Sequence, residues 1–139
     1  MLNLPISEIM NDHPIKVKSD VTVRNVAHLL LRIRINGILV MDVNEPDKLI
    51  GVFTMRDLLH LMGDSLAKRS QKMQALHDVG GQPVGNFIKD ELLTLEASDN
   101  AAKAVALMHK KDAITIPVMA NGKLVGVIGR HDIINIAFA

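Results

Sequence analysis

Two stretches of the chain place a glycine and an aspartate at a spacing that suits contact with a nucleotide. They run GVFTMRD from Gly51 to Asp57 and GVIGRHD from Gly126 to Asp132. Glycine near a strand end lets a ligand approach the backbone, and the first turn of a following helix offers N–H groups to a phosphate. The aspartate could accept hydrogen bonds from both hydroxyls of a ribose. Each stretch therefore predicts nucleotide contacts, to which Thr54 adds a hydroxyl donor.

An ordinary structural explanation competes with this interpretation at each position. Thr54 could be a simple helix N-cap, and Asp57 could be a first-turn acid that interacts favourably with the helix dipole. Arg56, Arg130 and His131 could supply charge to a phosphate or could lie solvated on the surface. Because the glycine and the aspartate occur twice in equivalent positions, the nucleotide interpretation is favoured.

The motif occurs twice because the whole chain repeats itself. Pro5 aligns with Pro83, 78 residues later, whereas Gly51 aligns with Gly126, 75 residues later. The difference of three residues is a single loop deletion, because Asn121-Gly122 replaces a longer turn in the first copy. This dipeptide between apolar runs is typical of a two-residue β-hairpin. The copies are therefore interpreted as homologous units with one hairpin shortened.

The predicted organisation is a first repeat over residues 1–62, a helical connector over 63–82 and a second repeat over 83–139. Each repeat begins with a short helix opened by its proline and continues in the order β-α-β-β-α. The expected fold class is α/β of the mixed α+β kind. A chain of 139 residues is too short for two large independent domains.

Apolar spacing gives the positions of the elements. Helical periodicity predicts the first long helix of each repeat around Val23 to Leu31 and Ala101 to Met108, with Asp20 and Ser98 as N-caps. Short extended or apolar runs predict strands at 15–18, 38–43, 49–53, 92–96, 114–119 and 124–128. A last helix is expected to begin in the middle of each glycine-to-aspartate stretch.

The order of residues in these stretches is glycine, two apolar residues, threonine or serine, two variable residues and aspartate. This order resembles the ribose-phosphate motif of the cystathionine-β-synthase (CBS) domain family. The resemblance covers nearly the whole chain except the connector. It implies a CBS pair, whose two repeats pack sheet to sheet about a pseudo-two-fold axis and leave two clefts. In that family the clefts commonly take AMP, ADP, ATP or another adenosyl ligand, and some are empty.

The resemblance also implies roles for individual residues. Asp57 and Asp132 would hold a ribose, and Thr54 would contact ribose or phosphate. The adenine slot would be lined by strand residues, namely Ile15 to Val17, Ile38 to Val40, Leu93 to Leu95 and Ile116 to Val118. The second repeat departs from the motif because Gly129 stands where a hydroxyl is expected, which implies weaker ligand binding there.

Composition narrows the classes of function. Apolar residues make up 48% of the chain and charged residues 22%, which is typical of a folded protein. A net charge of +1 and only three aromatic residues disfavour nucleic-acid binding. The chain has no cysteine, the histidines lack ligand spacing, and no catalytic triad or carboxylate pair is indicated. No signal peptide or membrane span is expected, and a cytoplasmic location is predicted.

These observations predict a regulatory module without catalytic activity that binds AMP, ADP or ATP. No cofactor is expected to be required. A homodimer is expected, and nucleotide occupancy would reach an unidentified effector protein through a change of conformation or assembly. The alternative is a dimerisation or interaction module with no functional ligand site, which the Gly129 substitution favours. An enzyme is the third hypothesis, and measured turnover of a nucleotide would be needed to support it.

Overall fold

The described residues, 2–68, 71–88 and 91–139 of a computed structural model, form two three-stranded sheets and five α-helices. Met1, Arg69, Ser70, Lys89 and Asp90 lie outside the described residues, and Arg69 and Ser70 belong to the predicted connector. The elements in chain order are β1 (Lys16–Lys18), α1 (Val23–Ile33), β2 (Gly37–Met41), β3 (Leu49–Thr54), α2 (Met55–Lys68), α3 (Lys72–Gly80), β4 (Leu95–Glu96), α4 (Ala101–Lys111), β5 (Thr115–Ala120), β6 (Lys123–Gly129) and α5 (Arg130–Phe138). Short 3₁₀ helices cover Ile6–Glu8 and Val84–Phe87.

Both sheets have the same topology. In each sheet the central strand pairs in parallel with one neighbour and antiparallel with the other, in the orders β1-β2-β3 and β4-β5-β6. The parallel pair is bridged by a helix, α1 or α4, and the antiparallel pair is a hairpin followed by α2 or α5. The predicted β-α-β-β-α order and the mixed α+β class are confirmed.

The shorter hairpin has the predicted geometry. Asn121 and Gly122 connect β5 to β6 with positive φ values of 52° and 76°, which the two-residue type I′ turn requires at both positions. The register shifts once in each hairpin, between Val40 and Met41 and between Val118 and Met119. These bulges lie at equivalent positions, so the repeat symmetry extends to the irregularities of the sheets.

The compact units of the structure do not coincide with the predicted sequence repeats. One unit contains residues 1–15 and 91–139, and the other contains residues 16–90. Each proline-led segment thus packs with the strands of the other repeat. The Ile6 N–H donates to the Asp99 carbonyl at 2.7 Å, and the equivalent Val84 N–H donates to the Val21 carbonyl at 2.8 Å. The boundaries 1–62, 63–82 and 83–139 remain a prediction about sequence homology, and α2 continues past residue 63 to Lys68.

The leading segments also satisfy the first N–H groups of α1 and α4. The Ala101 N–H donates to the Leu4 carbonyl at 2.9 Å, and the Val23 N–H donates to the Gln82 carbonyl at 2.9 Å. These donors have no partner within their own helices. The leading segments are therefore part of each folded unit rather than loose extensions of it.

The N-caps differ from the predicted ones by two residues. Thr22 and Asn100 cap α1 and α4, with their side-chain oxygens accepting from backbone N–H groups three residues later at 3.2 and 3.0 Å. Asp20 and Ser98 were predicted in this role, and both lie in a tight turn before the helix. Those turns are closed by backbone bonds from residue 21 to 18 and from residue 99 to 96. The turn delays the start of each helix by two residues.

A small apolar core fills each unit. In one unit the cluster includes Ile6 from the leading segment and helix and strand residues, namely Leu95, Ala101, Ala104, Ile116, Val118, Ile128 and Ile133. In the other unit the equivalent leading residue, Val84, is likewise fully buried. In the described part of the chain no helix is both long and apolar enough to cross a membrane.

Candidate functional site

The glycine-to-aspartate stretches lie where a strand turns directly into a helix. Gly51 and Thr54 are in β3, and Asp57 is in the first turn of α2. The second stretch has the same placement, with Gly126 in β6 and Asp132 in the first turn of α5. No loop separates strand from helix in either case, so the position of each aspartate is fixed by regular backbone on both sides.

Thr54 and Asp57 are joined by a reciprocal set of hydrogen bonds. The Asp57 carboxylate oxygen Oδ2 accepts from the Thr54 N–H at 2.8 Å and from Thr54 Oγ1 at 3.0 Å. The Asp57 N–H in turn donates to Thr54 Oγ1 at 3.1 Å. This arrangement is a capping box, so the competing structural explanation for both residues holds in part. Among the described residues Asp57 Oδ1 accepts no hydrogen bond, which leaves one carboxylate oxygen for a further donor.

Asp132 is held by fewer contacts. Its Oδ2 accepts from the Gly129 N–H at 2.8 Å, and no hydroxyl is present at position 129. The backbone does not require glycine there, because φ is −118°. An added Cβ would lie 3.6 Å from the Ile114 carbonyl oxygen and 3.7 Å from Asp132 Oδ2, which are ordinary contacts. The missing hydroxyl is therefore a difference in chemistry rather than a demand of the fold.

The other two glycines of the motif are covered by the leading segments. A Cβ at Gly51 would clash with Ile88 Cγ2, and a Cβ at Gly126 would lie 2.6 Å from Met10 Sδ and 2.8 Å from the Asn11 carbonyl oxygen. The close packing of these segments explains both glycines without a ligand. Contact between a ligand and Gly51 or Gly126 stays a prediction, and the motif carries a packing signal that sequence reasoning assigned to ligand approach.

The three basic residues of the motif are exposed on the first helical turns. Arg56 lies in α2, and Arg130 and His131 begin α5. The structure leaves these side chains accessible to an anion. Both roles considered for them, phosphate contact and solvated surface, are compatible with this placement.

The strand residues predicted for the adenine slot fall into two groups. Ile38, Leu95 and Ile116 are almost wholly buried in the sheets. Their side chains form the cores, and only their backbone could line a slot. Ile15, Val17 and Leu93 are half-buried and can present side chains to a ligand. Sequence reasoning did not separate the two groups because both are apolar residues in extended segments.

Two loop residues next to the motif had no sequence signal. The Asn36 carbonyl accepts from the Met55 N–H at 2.8 Å, and the equivalent Ile114 carbonyl accepts from the Arg130 N–H at 3.3 Å. Each bond fixes the first residue of α2 or α5 against the loop that precedes the central strand. These are main-chain contacts, so no residue type marks them in the sequence.

Comparison with known proteins assigns the family. The CBS domain model matches residues 6–64 and 84–138, which is most of the chain and both repeats. The chain belongs to the CBS domain family. The resemblance predicted from the glycine-to-aspartate stretches is confirmed.

Individual CBS proteins are similar over most of this chain. Inosine-5′-monophosphate dehydrogenase of Staphylococcus epidermidis is 29% identical over 121 residues, which cover 87% of this chain and 22% of the enzyme. A crystal structure of CBSX2 from Arabidopsis thaliana in complex with AMP has a TM-score of 0.76 at 24% identity, covering 96% of this chain and 95% of that one. The CBS domain pair of protein MJ0100, with methylthioadenosine and S-adenosyl-L-methionine, has a TM-score of 0.77 at 18% identity, covering 96% and 99%. The chain spans about a fifth of the length of the dehydrogenase.

The described part of this CBS pair contains no group of three histidine, aspartate or glutamate side chains placed to hold a metal ion. The candidate site of each repeat consists of one aspartate, the backbone of a strand-to-helix turn and exposed basic side chains. This arrangement can accept hydrogen bonds from vicinal hydroxyls and attract an anion. It suits the binding of a nucleotide rather than the activation of a water or a nucleophile.

Proposed function

We propose that this CBS pair is a regulatory module that binds an adenine nucleotide at the Thr54 and Asp57 motif. The observation that carries the proposal is the Asp57 carboxylate, which Thr54 fixes through Oδ2 while Oδ1 accepts no bond from the described residues. Vicinal ribose hydroxyls match such an acceptor. Support comes from two similar CBS proteins, since CBSX2 was crystallised with AMP and MJ0100 with adenosyl compounds.

The remaining contacts follow from the exposed groups around the motif. Arg56 lies one residue before Asp57 on the exposed first turn of α2, where a phosphate attached to the ribose would reach it. The base would lie against half-buried aliphatic side chains such as Val17, because the chain has no tryptophan or tyrosine. The same arrangement around Asp132 would use Arg130 and His131.

The proposed role is regulatory and not catalytic. A nucleotide changes the behaviour of a protein only if it binds one conformation more tightly than another. The effector that responds is unidentified, and the dehydrogenase activity of the similar enzyme resides in a protein of which this chain spans 22%. We further propose that the chain forms a homodimer, because Leu59 and Ile134 occupy equivalent positions in α2 and α5 and are 66% and 54% exposed.

Mass spectrometry of small molecules released from the purified, denatured protein tests the ligand class directly. Calorimetric titration with AMP, ADP, ATP and free adenine then ranks the candidates. We expect saturable binding of at least one nucleotide and much weaker binding of adenine, which lacks the ribose and phosphate. Absence of heat change and of any co-purified nucleotide would refute the proposal.

A second candidate function is that of an interaction module without a ligand. Two observations favour it, namely the missing hydroxyl at Gly129 and the leading segments that explain Gly51 and Gly126 by packing alone. The same titration separates the two functions. Association of the chain with itself or a partner that is unaffected by millimolar nucleotide would support the second candidate.

A further inference from the structure

We infer that two copies of this chain associate through unlike helices, with Phe138 of α5 in one copy seated on Gly63 of α2 in the other. This inference rests on the proposed self-association and names the surface and the pairing that would form it. The two residues occupy equivalent positions in the last helices of the two repeats, because Leu59 aligns with Ile134 and Gly63 with Phe138 at the same spacing.

The two helices have opposite shapes at this position. Phe138 is 84% exposed, the largest exposed fraction among the large apolar side chains of the described residues. Gly63 lies in the interior of α2, and a Cβ placed there would have no atom outside the neighbouring helix backbone within 4 Å. Glycine in a helix interior lowers stability relative to alanine, and open space at Gly63 shows that no contact within the chain requires it. A ring from another molecule would meet a shallow depression bordered by Leu59.

The area available fits a dimer. An aromatic side chain buries about 150–250 Å², so two Phe138 rings at their observed exposure would contribute about 250–420 Å² in a symmetric pair. Leu59 and Ile134 from both copies add four large aliphatic side chains. Together these residues supply a large share of the about 1,000 Å² that a specific interface needs. The exposed Leu31 of α1 offers no such match, because the equivalent residue in the second repeat is His109.

Adding bulk at Gly63 tests the seat. Gly63→Phe places a second ring where Phe138 would pack, and we expect dimerisation to weaken by more than about tenfold in sedimentation equilibrium. Ala106→Phe, which adds the same ring to an exposed position of α4, is the matched control and should leave the dimer unchanged. Circular dichroism and thermal unfolding of both variants report whether either change disturbs the fold.

Engineered cysteines test which helices meet. The chain has no cysteine, so a disulfide in a variant must join introduced residues. Chains carrying Gly63→Cys and Phe138→Cys, distinguished by a mass tag, should cross-link to each other when mixed under a mild oxidant, because unlike helices bring these positions within disulfide range. Neither variant alone should form a covalent dimer.

The outcomes separate the pairing from the self-association. A wild-type chain that sediments at the 15.2 kDa of one copy at tens of micromolar refutes the proposed homodimer and this inference with it. A wild-type dimer that tolerates Gly63→Phe, or cysteine variants that each cross-link to themselves, leaves self-association intact and overturns the pairing of α2 with α5. Nucleotide binding is measured separately and depends on neither result.

Discussion

Thr54 and Asp57 hold each other through one hydroxyl group that both donates and accepts. Thr54 Oγ1 donates to Asp57 Oδ2 at 3.0 Å and accepts from the Asp57 N–H at 3.1 Å. Both hydrogen-bonding capacities of the hydroxyl are thus directed to the same residue. In this arrangement Thr54 orients the carboxylate, and a ligand that took the hydroxyl for itself would have to replace one of these bonds.

Changing the residue before each helix should alter the free energy of unfolding in opposite directions. Thr54→Ala removes an N-cap and should lower it by about 0.5–2 kcal/mol. Gly129→Thr adds a side chain for which the structure has room, and should raise it by about 0.4–1 kcal/mol through lower entropy of the unfolded chain. Urea denaturation at one protein concentration measures both. A destabilising Gly129→Thr would show that position 129 is more crowded than the contacts at 3.6 and 3.7 Å indicate.

The leading segments give a second stability prediction. Gly126→Ala should lower the free energy of unfolding by about 1–3 kcal/mol, because the new methyl group meets the Asn11 backbone carbonyl as well as the flexible Met10 side chain. Gly81→Ala is the matched control, since its Cβ would make ordinary contact with the Asp78 carbonyl at 3.7 Å. Hydrogen exchange should show loss of protection at Asn11 and Val127, whose backbones now exchange two bonds of 2.9 Å. Unchanged protection would mean that the segment does not depend on the glycine.

Local patterns predicted the elements well and the packing partners poorly. The Asn121-Gly122 hairpin was predictable because its dihedral angles follow from those two residues alone. The exchange of leading segments was not, because Ile6 and Val84 are similar apolar residues and either could fill the same pocket in either repeat. Only the tertiary fold decides between the two arrangements. The same distinction explains the glycines of the motif, where one residue type serves equally for ligand approach and for backbone packing.

The N-caps show a finer limit of sequence reasoning. Both helix starts are preceded by several residues that can cap, and Asp20 precedes Thr22 as Ser98 precedes Asn100. Propensity alone ranks all four similarly. The turn that ends at residue 21 or 99 selects the later residue, and that turn depends on where the preceding strand pairs.

Adenine nucleotides should raise the melting temperature of the chain, whereas free adenine should have much less effect. The reason is that ribose and phosphate contacts at the motif are absent for the base alone. At a ligand concentration one hundred times its dissociation constant, the expected stabilisation is about 2.7 kcal/mol. Differential scanning fluorimetry with AMP, ADP, ATP and adenine measures the shift, and ribose 5-phosphate is the control for the role of the base. No shift with any nucleotide at millimolar concentration would favour the interaction module without a ligand.

The two aspartates should contribute unequally to nucleotide binding. Asp57 receives two bonds from Thr54 and Asp132 receives one from Gly129, so the first carboxylate is the more firmly oriented. Hydrogen bonds to a charged group are worth roughly 1.5–3 kcal/mol, so Asp57→Ala should weaken its own site by about ten- to a hundredfold and Asp132→Ala should reduce total binding less. Titration calorimetry of both variants and of the double variant measures this, with Thr54→Ala as the control that loosens the cap but keeps the carboxylate. If Asp132→Ala abolishes binding while Asp57→Ala does not, the second repeat holds the functional site, and Arg130 and His131 compensate for the absent hydroxyl. If the double variant binds as the wild type does, neither carboxylate holds a ribose.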